Sequence, residues 1–295
     1  MSELIIDAHQ HVWDPGRARY DWLTPELAPI DRTMTFAELE PQLDRAGVSA
    51  TVLVQSADND EDTAFMLEVA ANNPRIAAVV AYVPLERPSD VATHIEAFRR
   101  DTLVVGVRNL IHNNPDPEWL LRPEVDDGLG VLEAAGMTFD LVSVLPEHLA
   151  LVPILGERHP GLRIVIDHLA KPPIGLRDRE PWWSLIAAAA ENPLVFAKVS
   201  GLYSATDEPD SWTPQLVAPF FDRAMDRFGA ERLMYGGDWP ISVTAGGYAR
   251  VWAGLRSMIA ELTDADRARI LAETATNFYG IDPSHLAAAA AVLGE

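Results

Sequence analysis

Apolar and polar positions along this chain fall into two alternating kinds of segment. Eight short, β-branched runs bounded by turn residues read as strands: "ELIIDAH", "SATVLVQS", "RIAAVVAYV", "VVGVRNLI", "MTFDLVSV", "LRIVIDHL", "LVFAKVSG" and "RLMYGGDWP". Between them, apolar positions recur at helical spacing over 36–46, 62–72, 90–99, 128–135, 147–159, 182–190, 215–228 and 248–262. The strand segments are almost continuously apolar, as in a parallel sheet covered by helices. Eight such units in series predict a single (β/α)8 TIM barrel, with 1–295 as one domain. The competing architecture is an open doubly wound sheet, but no GxGxxG follows the first strand. From Thr263 onward, "TDADRARILAETATNFYGI" predicts an extra C-terminal helix packed outside the barrel.

A barrel keeps its chemistry at the C-terminal ends of its strands, so polar residues there are the ones to weigh. His9 and His11 end the first run, Gln55 the second, Arg108 and Asn109 the fourth, His168 the sixth, Lys198 and Ser200 the seventh, and Asp238 the eighth. Burying so many polar groups at one rim is costly unless they pair or bind something. In an extended strand Asp7, His9 and His11 share one face, so the two imidazoles converge. Two proline-bearing segments, "DPGRARYDWLTPELAPID" and "HNNPDPEWLLRPE", follow the first and fourth strands and are placed to roof a pocket.

Each residue also has an ordinary structural use. Asp238 in "GGDWP" suits a turn, Lys198 suits neutralisation of a buried Asp7 or Asp140, and Arg108 suits an ion pair. His94, His148, His159 and His285 fall in helical or terminal segments and are expected at the surface, while the role of His112 stays open. Of the tryptophans, Trp13 and Trp239 are the candidates for a pocket wall; Trp22, Trp119, Trp182 and Trp183 suit ordinary packing.

Composition narrows the partners. With 44 acidic against 23 basic residues, the net charge of −21 repels nucleic acid and anionic membranes. The absence of cysteine restricts any metal to histidine and carboxylate ligands. No apolar run is long enough to span a bilayer and no basic stretch leads one, so a cytoplasmic location is expected; a homo-oligomer is left open.

The strings "DAHQHVWDP", "GVRN", "PDPEWLL", "DHLAKPPI", "KVSGL" and "YGGDWPIS" occur in that order from residue 5 to about residue 280. The ordered set resembles the amidohydrolase superfamily, and within it the amidohydrolase-2 branch of sugar lactonases, L-fuconolactonase and L-rhamnonolactonase-like, related to 2-pyrone-4,6-dicarboxylate lactonase. The resemblance puts His9, His11, His168 and Asp238 on active-site positions and implies hydrolysis of a sugar lactone to its aldonic acid. Some relatives hold a divalent metal and others need none. Three positions depart from the pattern. The sole strand-borne lysine, Lys198, lies on the seventh run, which argues against a bridged two-metal centre; Asn109 stands where histidine is common, and Gly237 where serine is usual.

Lactone hydrolysis needs an activated water, a stabilised carbonyl oxygen and a proton for the departing alkoxide. Asp238, with a pKa raised by a partly dry rim, is the expected general base, oriented by His168. His9 and His11 polarise the carbonyl, either directly or through one Zn2+ or Mn2+ also ligated by Asp238, with His168 as a further ligand. Arg108, Lys171, Gln55, Trp13 and Trp239 are expected to contact the sugar. The rival functions are a metal-dependent decarboxylase or amide hydrolase on the same barrel and, outside enzymes, a sugar-acid binding protein.

Overall fold

The computed structural model describes residues 3–100, 102–203 and 211–293. Eight parallel strands, β1 (Ile6–Gln10), β2 (Ala50–Val54), β3 (Ile76–Ala81), β4 (Val104–Asn109), β5 (Thr138–Leu141), β6 (Ile164–Ile166), β7 (Val195–Val199) and β8 (Leu233–Tyr235), pair in sequence order. The ring closes just beyond β8, where Gln10 bridges Trp239 in parallel. Helices α1 (Phe36–Ala46), α2 (Asp60–Ala71), α3 (Pro88–Phe98), α4 (Pro123–Ala135), α5 (Pro146–Arg158), α6 (Trp182–Ala190), α7 (Pro214–Phe228) and α8 (Tyr248–Ile259) follow the strands in turn. The chain is a (β/α)8 barrel, and none of its described helices is long and apolar enough to cross a membrane.

Several helices open earlier than their apolar spacing predicts, because capping sets the first turn and not core contact. Proline occupies the first helical positions of α3, α4, α5 and α7, where its missing N–H costs no hydrogen bond. The shift is largest in α4, whose polar first turn precedes the expected start at 128 by five residues. At α1, Thr35 and Glu38 form a reciprocal capping box, and Gly47 closes the helix in the left-handed region at φ 71°.

Strand side chains divide between two apolar layers. Leu53, Val79, Val107, Phe139 and Ile164 pack against the surrounding helices. Their alternates Val52, Val54, Ala78, Val80, Val165 and Met234 fill the inner layer. Each fully buried aliphatic or aromatic side chain there contributes roughly 1.5–3 kcal/mol.

Three expectations are corrected by this packing. The C-terminal segment adds the expected helix outside the strands, but it does not stay wholly outside. After α9 (Asp264–Ala268) and a π-helical turn at Arg269–Glu273, α10 (Thr274–Tyr279) and α11 (Pro283–Leu293) send Phe278, Tyr279 and Ala289 into the inner cluster. The Tyr279 hydroxyl reaches inside to donate to Asp140 at 2.7 Å. His148 and His159 are buried, not surface residues: α5 turns them inward, and His159 Nε2 lies 3.1 Å from Asp126 of α4. His94 and His285 keep partial exposure, as expected.

The third correction concerns β1. Between Asp7 and Gln10 it advances three residues while β2 advances two, Thr51 to Leu53, so β1 carries a bulge. Simple alternation fails there. Asp7 turns its side chain away from the His9 ring, its carboxylate accepting hydrogen bonds from the Tyr248 hydroxyl of α8 at 2.8 Å, the Gly237 amide at 2.8 Å and the His9 backbone amide at 3.1 Å. His9 and His11 still converge.

Candidate active site

His9 of β1 and His11 just past its end reach one point: His9 Nε2 and His11 Nε2 are 3.1 Å apart. His11 Nδ1–H donates to the Val54 carbonyl at 2.7 Å, which leaves its Nε2 as a free lone pair when the ring is neutral. His9 Nδ1 has a choice, lying 3.1 Å from the Lys198 ammonium and 3.2 Å from Asp167 Oδ1. Lysine can only donate and the carboxylate only accept, so either tautomer of His9 finds a partner.

Asp238 comes from the segment that closes the barrel. Its Oδ1 lies 3.6 Å from His11 Nε2 and 3.8 Å from His9 Nε2, and its Oδ2 accepts from the Tyr203 hydroxyl at 3.0 Å. The residue sits in the left-handed region at φ 50°. Nearby, Gly201 also has positive φ, 56°, and a Cβ there would lie 2.5 Å from His168 Nδ1 and 2.9 Å from Asp238 Oδ2. Only glycine lets β7 pass so close to both.

His168 follows β6 and opens a run of four left-handed, non-glycine residues: His168, Leu169, Ala170 and Lys171, with φ of 56°, 50°, 57° and 46°. Each costs roughly 1–2 kcal/mol relative to the right-handed region. The turn brings His168 and Lys171 to the same cavity, and Ser200 Oγ fixes His168 Nδ1 at 2.9 Å.

Below them lies a buried charge network. Lys198 contacts Asp140 at 2.5 Å and Asp167 at 3.1 Å, and Arg108 bonds Asp167 at 2.9 Å and the Gln55 carbonyl at 2.5 Å. Of the two partners expected for Lys198, Asp140 is the one it meets. Asp7 is held elsewhere.

Burial dominates the protonation states. It pushes the His9 imidazole well below its usual range, with Asp167 opposing, and lowers His11 and His168 likewise. All three rings are therefore neutral near pH 7. Burial would raise Asp238, but the adjacent His168, His11 and His9 outweigh it and hold the carboxyl below the usual range, because as the pH falls a proton in this cluster settles on an imidazole before it settles on the carboxylate. This reverses the raised pKa expected from a dry rim. The imidazoles around the carboxylate decide the sign.

The cavity above measures about 150 Å³ and is lined by His11, Asp238, His168, Arg108, Lys171 and Trp13 from the sequence-derived set. Trp22, Ser56, Leu110, His112, Val142, Val144 and Ile241 complete its wall. His9 lies beneath this surface. Gln55 and Trp239 do not line the cavity: Gln55 Nε2 donates to Asp58 and to the Arg108 carbonyl, and Trp239 is fully buried. Asn109 is turned to the Val83 carbonyl, 3.0 Å away. The second aromatic wall is Trp22, edge-on to Trp13 with ring centres 5.0 Å apart.

Sequence reasoning missed Asp167 and Tyr203, and gave Trp22 to ordinary packing where it lines the cavity. Asp167 is signalled by standing beside His168 after an apolar run, and Trp22 by its place in the proline-bearing segment after β1. For Tyr203 no comparable signal exists.

The donor chemistry fits one divalent ion. His9, His168 and Asp238 present ligand atoms within 4.8 Å of one another. His11 Nε2 stands 3.1 Å from His9 Nε2, near the roughly 3.3 Å edge of a tetrahedron with Zn–N bonds of 2.0–2.1 Å. Val54, Ser200 and Asp167 each meet the far nitrogen of a ring and leave Nε2 for a metal.

Comparison with known proteins places the chain. The amidohydrolase family, Amidohydro_2, matches residues 6–281. An L-fucono-1,5-lactonase from Burkholderia ambifaria is 36% identical, the alignment covering 94% of this chain and 96% of the relative. Another from Burkholderia multivorans is 31% identical over 95% and 97%. Among solved structures, a zinc-bound amidohydrolase from Burkholderia multivorans superposes with a TM-score of 0.86 at 29% identity, covering 95% of this chain and all of that one.

Proposed function

We propose that this chain, which belongs to the amidohydrolase family, is a lactonase that opens a sugar lactone of the L-fucono-, L-rhamnono- or galactono- type to its aldonic acid. The observation that carries the reading is the convergence of His9, His11, His168 and Asp238 from β1, β6 and the β8 end on one small cavity. Two relatives named L-fucono-1,5-lactonase, aligned along almost the whole chain, support the substrate class.

In this reading the sugar ring lies against Trp13 and Trp22, with Arg108 and Lys171 facing its hydroxyls. Asp238 Oδ1 takes a proton from the attacking water and returns it to the ring oxygen as the ester C–O bond breaks. Tyr203, donating to Oδ2, holds the carboxylate with Oδ1 toward the histidines. His168, pinned by Ser200, orients the water beside Asp238. His9 and His11 lie toward the carbonyl oxygen, where an Nε2 that carries a proton, or an ion that the two rings would hold, is what can polarise it.

One divalent ion, Zn2+ or Mn2+, would be held by His9, His11, His168 and Asp238, and when bound it supplies Lewis acidity toward the carbonyl and the water. The neutral rings suit that role, since only an unprotonated nitrogen ligates. The low pKa of Asp238 suits it as well: a weak carboxylate base needs a water made more acidic by its surroundings.

The deciding assay offers the purified protein L-fucono-, L-rhamnono- and galactono-lactones and follows acid release, with carbon dioxide and ammonia release from aromatic acids and amides as the contrast. Acid release from one or more lactones is the expected result. Decarboxylation or ammonia release alone would replace the reading.

A further inference from the structure

Arg108 and Lys171 transfer no proton in the reading above, although Asp238 lies near enough to favour the Lys171 ammonium against burial. Lys171 lines the cavity, half-buried, at the end of the left-handed turn. Among the described residues its ammonium has no ion pair and no hydrogen bond. In a chain with 44 acidic residues against 23 basic ones, an unpaired ammonium is unexpected. Arg108, by contrast, is engaged by Asp167 and the Gln55 carbonyl.

His112, on the turn after β4, lines the same cavity. Its Nδ1 is buried without a hydrogen-bond partner. Burial, with Arg108 and Lys171 nearby, pushes its pKa down to about 4, so near pH 7 the ring is neutral and offers one N–H and one lone pair.

A neutral lactone gives an ammonium nothing of opposite charge. Ring opening creates a carboxylate, and a lactone of a dicarboxylic sugar acid carries one from the start. We propose that Lys171 and His112 form an anion subsite for the carboxylate of a polyhydroxy acid. The polyhydroxy chain attached to that carboxylate rests on the lactonase reading above; the anion subsite itself does not. Two sources share this chemistry: the product's own carboxylate, making the aldonate a competitive inhibitor, and the second carboxylate of an aldaric acid lactone, making that lactone a substrate. The aldonate would bind here despite the net charge of −21, because among the described residues no acid forms an ion pair with Lys171.

The test is calorimetric titration of the wild type and of Lys171→Met, Lys171→Arg and His112→Asn with three probes: a hexonate, the matching hexarate, and the uncharged hexitol. A charge-assisted contact predicts that Lys171→Met lowers the preference for hexonate over hexitol by about tenfold or more, with Lys171→Arg retaining most of it and His112→Asn losing less. Hexarate binding tighter than hexonate, with Lys171-dependent hydrolysis of a hexarolactone, assigns the subsite to acidic substrates; competitive inhibition by hexonate without it assigns the product. Equal weakening of hexonate and hexitol, or no weakening of hexonate, overturns the proposal. If no lactone is hydrolysed while hexonate binding still depends on Lys171, the lactonase reading fails and the subsite stands.

Discussion

The backbone amide of Asp238 donates to the carbonyl of His9 across 2.7 Å, and one step on the His11 amide donates to the Trp239 carbonyl, also at 2.7 Å. The two bonds that close the barrel are therefore the bonds that set the acid of the last strand against the imidazoles of the first. A shift in this seam would move the carboxylate and the histidines relative to one another. Catalytic geometry and barrel closure are one structural constraint here.

If Asp238 carries the proton, Asp238→Asn lowers kcat by roughly a thousandfold, within the 10²–10⁴ expected of general base catalysis, while sugar binding survives. Steady-state kinetics beside a binding titration checks this. A variant with near-normal turnover removes Asp238 from the role.

Ser200 acts through His168. Its Oγ, 2.9 Å from Nδ1, keeps the ring turned with Nε2 toward the cluster. Ser200→Ala is expected to weaken Zn2+ binding about 10–100-fold without unfolding the chain, as read by competition with a chromophoric chelator. Unchanged affinity would mean that His168 is not a ligand.

Asp62 predicts a pH effect away from the site. Burial raises its pKa from 3.8 to about 6, although Ser56 N–H, Ala57 N–H and the Tyr20 hydroxyl donate to it. A carboxyl raised on folding stabilises the protein below the unfolded pKa, and that contribution is lost as the pH rises through about 6. Asparagine accepts from the two amides through its one carbonyl oxygen, and its NH2 donates to the Tyr20 oxygen in place of accepting from it, without a charge. Between pH 4 and pH 7, Asp62→Asn should gain stability relative to the wild type by on the order of 3 kcal/mol. Urea denaturation across that range measures it; a difference independent of pH contradicts the argument.

Gly237 has a structural reason to lack a side chain. A Cβ there would lie 2.3 Å from the Tyr248 ring and 2.5 Å from Asp7 Oδ2, both held on the far side of β1 by the bulge. Gly237→Ser should destabilise the fold by about 1–3 kcal/mol, seen as a lower denaturation midpoint. An unchanged midpoint would show that Tyr248 moves freely.

The barrel was legible because burial on both faces leaves continuous apolar runs, and eight of them alternate with helical spacing. His9, His11, His168 and Asp238 were legible as polar groups at the ends of such runs. Gln55 and Trp239 shared that signal yet point into internal contacts, because a position at a strand end does not tell which way a side chain turns. Trp22 was weighed and set aside, since a loop's path is not written in its periodicity. The burial of His148 and His159 follows from how α5 meets its neighbours.

Sequence alone determined the order of strands and helices, the ligand types available without cysteine, and the acidic balance, since each depends on residue type and local spacing. Tertiary structure decided the bulge that turns the Asp7 side chain from the His9 ring, the pairing of Lys198 with Asp140 and Asp167, the depressed pKa of Asp238, and the place of Lys171 in the cavity wall. Those depend on distances between residues far apart in the chain, and electrostatic and steric energies change over an ångström.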